Sequence, residues 1–222
     1  EHTAYGIVPT IKPIKVGSEL LFVQRGAERI RTLVYDYAQD GLVSNELSVL
    51  ASHLGEEGAG FKVMTYQQEP DSVIWLVMNN GKLATLTLDR EQSVIAWAKH
   101  DIGGNVISIT SLPSTTGADK VYFLVNRNGT LQIEQLQEEL LLDTAIQATV
   151  NRSDDKCTVT NTLIGKLGDN VAAYYKDPVH TYAVPILNRV GNTIHIECDE
   201  QVNQIYIGRK FTARVSLLSP DI

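Results

Sequence analysis

The sequence predicts an all-β protein, with antiparallel, propeller-like repeats over residues 1–139 and a small β-sandwich or barrel over 140–222. The first observation is the stretch Val73 to Trp97, VIWLVMNNGKLATLTLDREQSVIAW. An apolar run meets Asn79-Asn80-Gly81, and Asn-Gly between two apolar runs is a strong hairpin signal. The return strand alternates, with Leu83, Thr85 and Thr87 on one face and Ala84, Leu86 and Leu88 on the other. The second observation is repetition. LLFVQRGAERIRTLVYDYAQDGLV, IWLVMNNGKLATLTLDREQSVIAW and VYFLVNRNGTLQIEQL share an apolar strand, a tight turn and an amphipathic strand. Val23, Val77 and Val125 align, as do Ile30, Leu83 and Leu131, at about 50 residues, a blade-like period. Third, the texture changes at Leu140, where short strands and turns replace the long meander.

Taken in order, Glu1 to Lys15 carries Pro9 and Pro13 and reads as an extended lead-in. Glu19 to Gln24 is a strand, turned by Arg25 to Glu28 into Arg29 to Asp36, and Asp40-Gly41 turns again. Ser44 is placed to cap a short helix ending before Gly55, with Leu47, Leu50, Ala51 and Leu54 at helical spacing. EEGAG, 56–60, reads as a loop. Phe61 to Gln67 precedes the central hairpin, whose Asn80-Gly81 is expected to form a two-residue type I′ turn. Gly103-Gly104-Asn105 leads into a strand ending at Leu112, and Val121 to Val125 pairs with Thr130 to Leu136.

In the second region, strands are expected at Cys157–Thr160, Val171–Tyr175, Tyr182–Leu187, Thr193–Cys198, Gln204–Ile207 and Phe211–Leu217. Thr193, His195 and Glu197 face out; Ile194, Ile196 and Cys198 face in. Three repeats fall short of the four to eight blades that closure takes, so the chain is either part of a propeller, the favoured reading, or an open, propeller-like sheet stack. The first residue is Glu1, so the chain is read as a piece of a longer protein, and as monomeric or only weakly associated when isolated.

A net charge of −7, with no basic run longer than two residues, argues against a surface that grips phosphate backbones. No apolar run reaches the roughly 20 residues of a membrane-spanning helix, so no membrane anchor is expected. Two cysteines, Cys157 and Cys198, are too few for a disulfide framework, and a reducing compartment is expected.

Each candidate site has a plainer structural role beside it. Cys157, Cys198, His180 and His195 are a conceivable metal set, but lack the short C-x-x-C or H-x₃₋₅-H pairs of zinc sites. Cys198, on the apolar face of its strand, reads as a free thiol packed as a small hydrophobe; a Cys157–Cys198 disulfide stays open but is disfavoured for cytoplasmic assembly. The carboxylate pairs Glu69/Asp71 and Asp89/Glu91 could suggest glycoside hydrolysis, yet each sits at a turn, where such residues solvate the chain. Trp75 and Trp97 could stack a sugar, but both lie in the most apolar strands, which favours core packing. Gly103-Gly104 lacks the following helix and lysine of a phosphate loop. Gly165 and Gly168 mark turns. No G-x-S-x-G is present. No catalytic, metal or cofactor-binding residue is assigned, no cofactor is expected, and the chain is read as a non-enzyme.

The string GSELLFVQRGAERIRTLVYDYAQDGLVSNELSVLASHL, with YQQEPDSVIWLVMNNGKLATLTLDREQSVIAW, resembles the tail nozzle proteins of phages, also called tail tubular protein B-like or phage stabilisation proteins. The closing LIGKLGDNVAAYY and VNQIYIGRKFTARVSLLSP resemble the small β-domain that ends many members. LFVQRG, YQQEPDS and LDREQ-x-V-x-AW are specific together; the shorter third repeat and the shortened link near Glu138 depart from the pattern. The resemblance implies a structural virion protein of the distal tail tube, assembled in the bacterial cytoplasm. It further implies self-association into a ring, docking to adaptor and fibre or needle proteins, and passive DNA passage without sequence-specific binding. A carbohydrate-binding β-module for attachment to a surface glycan is the alternative from another class, and a glycan-cleaving enzyme ranks last.

Overall fold

The computed structural model describes residues 5–115, 117–137, 140, 142–153, 156–177, 180–197 and 202–212. It is all-β, with five antiparallel sheets among the described residues. The chain divides into two compact units, Glu1–Leu136 and Gln137–Ile222; the sequence placed the division three residues later.

The first unit holds three meanders. The first sheet runs β1 (Ile14–Val16), β2 (Glu19–Val23), β3 (Ile30–Asp36) and β4 (Gly41–Val43) in that order. The expected lead-in thus carries a strand: Ile14 pairs with Leu21 and Val16 with Glu19. The second sheet is β5 (Phe61–Gln67), β6 (Val73–Met78), β7 (Leu83–Asp89) and β8 (Val94–His100). The third has three strands, β9 (Asn105–Leu112), β10 (Lys120–Arg127) and β11 (Thr130–Gln135). The first strands of the three sheets, β1, β5 and β9, are neighbours in space, with β5 between the other two.

The two central strands of the middle sheet, β6 and β7, are buried on both faces because they are apolar at odd and even positions alike. Ile74, Leu76, Met78, Ala84, Leu86 and Leu88 pack with Leu21, Val23 and Ile30 of the first sheet. Trp75, Val77 and Leu83 pack from the other face with Val106, Ile109, Val121, Phe123 and Val125 of the third. Each fully buried Leu or Ile here contributes about 1.5–3 kcal/mol of transfer free energy.

Three expectations around the helix are corrected. The helix α1 spans Ser52–Glu57, after a 3₁₀ turn at Val49–Ala51. Ser44 does not cap it; its hydroxyl accepts a hydrogen bond from Arg31 Nε at 3.3 Å. Leu47 instead enters the first core, tied by its amide to Ile30 O at 2.9 Å, while Leu50 is 95% exposed. Glu56 and Glu57 of the expected loop are helical.

The central hairpin turns through Asn79, Asn80 and Gly81, not through two residues. Met78 N donates to Lys82 O and Gly81 N to Met78 O, both at 3.0 Å, and of the three only Gly81 has positive φ, at 79°. The two-residue turn occurs instead at Asn128-Gly129, between the paired Arg127 and Thr130, with φ of 51° and 85°. Positive φ at both positions is the type I′ signature.

The repeat alignment holds for Val23, Val77 and Val125, all fully buried, and for Ile30 and Leu83, each paired with the valine before its turn. It fails at Leu131, which pairs with Asn126 and is 59% exposed. The tighter third turn shifts the return strand, and a one-residue shift puts a side chain on the other face.

The second unit is a sandwich of two sheets. One has the order β12 (Asp143–Thr149), β19 (Gln204–Arg209), β15 (Val171–Lys176), β16 (Thr181–Val184). The other has the order β13 (Asn151–Ser153), β14 (Lys156–Thr160), β18 (Thr193–Ile196), β17 (Ile186–Val190). Ala148, Ala173, Ile205 and Ile207 of the first meet Cys157, Val159, Ile194 and Ile196 of the second. The expected strand Tyr182–Leu187 is broken at Pro185 into β16 and β17, which belong to different sheets; proline lacks the N–H a continuous ladder needs. The alternation at Thr193–Ile196 is as expected, with Ile194 and Ile196 buried. Cys198 and residues 213–217 of the expected last strand lie outside the described residues; 210–212 are not in a strand.

Candidate functional site

Cys157 sits in the sandwich core and is disulfide-bonded. The disulfide that the sequence left open and disfavoured at this position is therefore present. His195 is opposite Thr158 on the half-exposed side of β18, away from Cys157. His180 is exposed, its Nδ1 4.0 Å from Asp177 Oδ1. Among the described residues no three His, Cys, Asp or Glu side chains gather in a metal-holding group.

The carboxylate pairs lie where the chain turns. Asp89 Oδ1 accepts the amide of Gln92 at 3.0 Å, a local turn bond. Glu69 and Asp71 flank Pro70 between β5 and β6, both exposed. The residue that organises this loop is one the sequence did not single out. Asp119, just before β10, accepts from Gln68 N at 2.8 Å and Glu69 N at 3.3 Å through Oδ2, and from Ser114 N at 3.2 Å through Oδ1. Its own amide donates to Glu69 O at 3.0 Å. Backbone N–H groups on the charged form hold its carboxyl below the ordinary aspartate value, the Gln68 amide most of all.

The two tryptophans do not form a platform. Trp75 faces the third sheet, donating Nε1–H to Gln67 Oε1 at 2.9 Å and meeting Phe123 edge-on at 5.6 Å. Trp97 packs against the opposite core, donates to Leu47 O at 3.1 Å and stacks with Phe61 at 6.4 Å. One sheet separates them.

Gly103 takes φ 65° and donates its amide to Asp101 Oδ1 at 2.9 Å, so the Gly-Gly pair builds a link between strands β8 and β9. Gly165 lies in a 3₁₀ turn, Ile164–Lys166, and Gly168 follows it with φ 77°.

The geometry does join the three sheets at one end. Each link between sheets runs past the preceding inner hairpin turn and bonds to it. Phe61 N donates to Ala27 O at 2.7 Å, Asn79 N to Gly60 O at 2.9 Å, and Val106 N to Gly81 O at 2.9 Å. The Asn79 and Asn80 side-chain amides donate to Ala59 O at 2.7 Å and Glu57 O at 3.2 Å. At the third turn, Arg127 donates to Ile102 O at 2.7 Å and makes a two-pronged pair with Glu134 at 2.6 and 2.8 Å.

Several cations of this unit are matched to carboxylates. Lys82 pairs with Asp101 at 2.5 Å, Lys99 with Glu57 at 2.7 Å, Arg90 with Glu19 at 2.7 Å, and Arg31 with Glu46 at 3.6 Å. The Lys82 ammonium pulls the Asp101 carboxyl down, and the Lys99 ammonium does the same to Glu57. On the innermost strand β5, Lys62 donates to Val106 O at 3.0 Å, and partial burial lowers its pKa.

The fold and these contacts define an all-β protein of two units: stacked meanders sharing a bonded end, and a two-sheet sandwich. No helix among the described residues is long and apolar enough to cross a membrane. Neither a protein-family model nor a curated protein matches the chain.

Proposed function

We propose that the chain is a structural component of a phage tail, part of the distal tube or nozzle through which DNA leaves. The observation that supports this reading most is the adjacency of the first strands β1, β5 and β9, with a four-stranded meander on each of the first two. The strings that carry the nozzle resemblance lie at the hairpins of those meanders: LFVQRG enters the β2–β3 turn, YQQEPDS joins β5 to β6, and LDREQ-x-V-x-AW spans the β7–β8 turn. The matched charges fit a conduit that lets DNA slide, since unmatched Lys and Arg would hold it by counterion release. On this reading the full protein closes a ring with copies of itself and receives adaptor and fibre or needle proteins at its ends.

The test is a protein inventory of intact, purified particles encoded by the genome that carries this sequence, with immunogold labelling against this chain. Label at the distal tip of the tail is the expected result. Its absence from particles that contain their other tail proteins overturns the reading.

A further inference from the structure

We propose that the disulfide at Cys157 is a redox staple of the second unit. It stays open where thiols are kept reduced, is closed by thiol–disulfide exchange in an oxidising compartment, and locks the sandwich once closed. The chain has two cysteines, so the partner of Cys157 is Cys198, which lies outside the described residues. Cys157 itself is on β14, 2% exposed, in the core with Val159, Ile194 and Ile205.

What the bond encloses gives it this role. The chain between the two cysteines makes β15 and β16 of one sheet and β17 and β18 of the other. Cys157 is the direct partner of Ile196, the last residue of β18. The bond therefore ties β14 to the chain just after it leaves β18 and before it reaches β19. In the opposite sheet β19 lies between β12 and β15, and its Ile205 and Ile207 are fully buried in the core. One covalent link thus closes a loop of about 40 residues that carries strands of both sheets, and closure of a loop that long removes much of the freedom of the unfolded chain. The core it fastens is that of a small unit, Gln137–Ile222, where apolar burial alone leaves little margin.

Burial makes the staple directional. The reduced unit lacks the constraint and opens more often, which brings its thiols to solvent. One cysteine thiolate attacks a sulfur of a small disulfide such as oxidised glutathione, and a glutathione thiolate leaves. The second cysteine, deprotonated, attacks the mixed disulfide and releases the second glutathione. Two electrons and two protons pass from the cysteines to the oxidant, which becomes two glutathione thiols. With the bond made, the unit opens less, and the core around Cys157 keeps reductant away. Cytosolic pools hold accessible thiols reduced, so the closed staple belongs to a chain that works outside such a pool. This assignment stands apart from the tail-tube reading and can fail or hold without it.

Alkylation of the full chain at the moment of lysis from a reducing bacterial cytoplasm, read by mass spectrometry, tests it. Both cysteines are expected to carry the alkyl group. Oxidised glutathione should then remove both free thiols and raise the melting transition of the second unit by more than about 10 °C. Amide exchange should slow in β14, β15, β18 and β19 and stay unchanged in residues 5–136. Cys198→Ser, which leaves the core residue Cys157 in place, should melt like the reduced wild type with or without the oxidant. Dithiothreitol should reduce the oxidised chain at least about tenfold more slowly in buffer than in urea. A disulfide already complete at lysis overturns the proposal. So does an oxidised wild type that melts with Cys198→Ser, or reduction in buffer as fast as in urea.

Discussion

Asn105 holds its side-chain amide in the space that a β-carbon on Gly81 would take: such a carbon would lie 2.7 Å from Asn105 Cγ and 3.2 Å from its Cα. The third sheet begins against the turn of the second, and a hydrogen on Gly81 makes that approach possible.

The first prediction follows from this contact. Gly81 takes φ 79°, which costs a β-branched residue about 1–3 kcal/mol, and the contact with Asn105 adds to that cost. Gly129, at φ 85° with nothing within 4 Å of where a β-carbon would stand, is the control. Gly81→Ala should lower the urea midpoint more than Gly129→Ala, and Gly81→Val further still. Equal midpoints for the two alanine variants would refute the Asn105 contact.

Asp119 gives a second prediction. Asp119→Ala removes an acceptor shared by three amides and should cost about 1–2 kcal/mol. Its folded pKa is depressed, so its contribution is present above the unfolded aspartate value and is lost as pH falls through the folded one. Thermal melts of wild type and Asp119→Ala should therefore differ at pH 7 and converge in strong acid. A constant gap across that range would show that the carboxylate charge plays no part.

His100 titrates in a separate window. Its Nε2 lies 2.9 Å from Thr85 Oγ1, its ring centroid is 5.6 Å from that of Trp75, and burial lowers its pKa. The folded state resists the proton that the unfolded chain accepts near the ordinary histidine value. Stability from this group is full above about pH 6.5 and declines below it until the folded pKa is reached. Between pH 7.5 and 5.5 wild type should lose more stability than His100→Gln. Parallel losses in a urea titration would rule the histidine out.

The charge balance of −7 yields a fourth. Duplex DNA should show no measurable binding at physiological salt, and moderately lower salt should restore none. Tight binding with a steep salt slope in a gel-shift titration would mean that the chain grips DNA.

What the sequence showed and what it hid have physical reasons. Strand positions such as Phe61–Gln67 and Val73–Met78 were legible because burial imprints on residue type. Turn length was not. Asn-Gly occurs at 80–81 and at 128–129, and only the second forms the two-residue turn. At the first, the Asn79 and Asn80 amides are committed to carbonyls of 57–60, and those bonds favour a longer loop. Leu50 matched a helical pattern but is exposed, because Leu47 is captured by Ile30 of a distant strand. Asp119 acts on residues about 50 positions away, where no spacing rule reaches. The pairing of β15 with β19 skips the strands between them in the chain, so no local pattern announces it.

The bonds from each inter-sheet link to the preceding turn bear on how the first unit comes apart. Ala27, Gly60 and Gly81 accept amides from the link or turn that follows them in the stack. A sheet that opened alone would strand its neighbour's donors as well as its own. The sheets are thus nearest-neighbour-coupled modules, and the energy of each is partly held in the next. Residues 5–136 should lose amide-exchange protection as one cooperative foldon, with no separate opening of the third sheet even though it has one strand fewer.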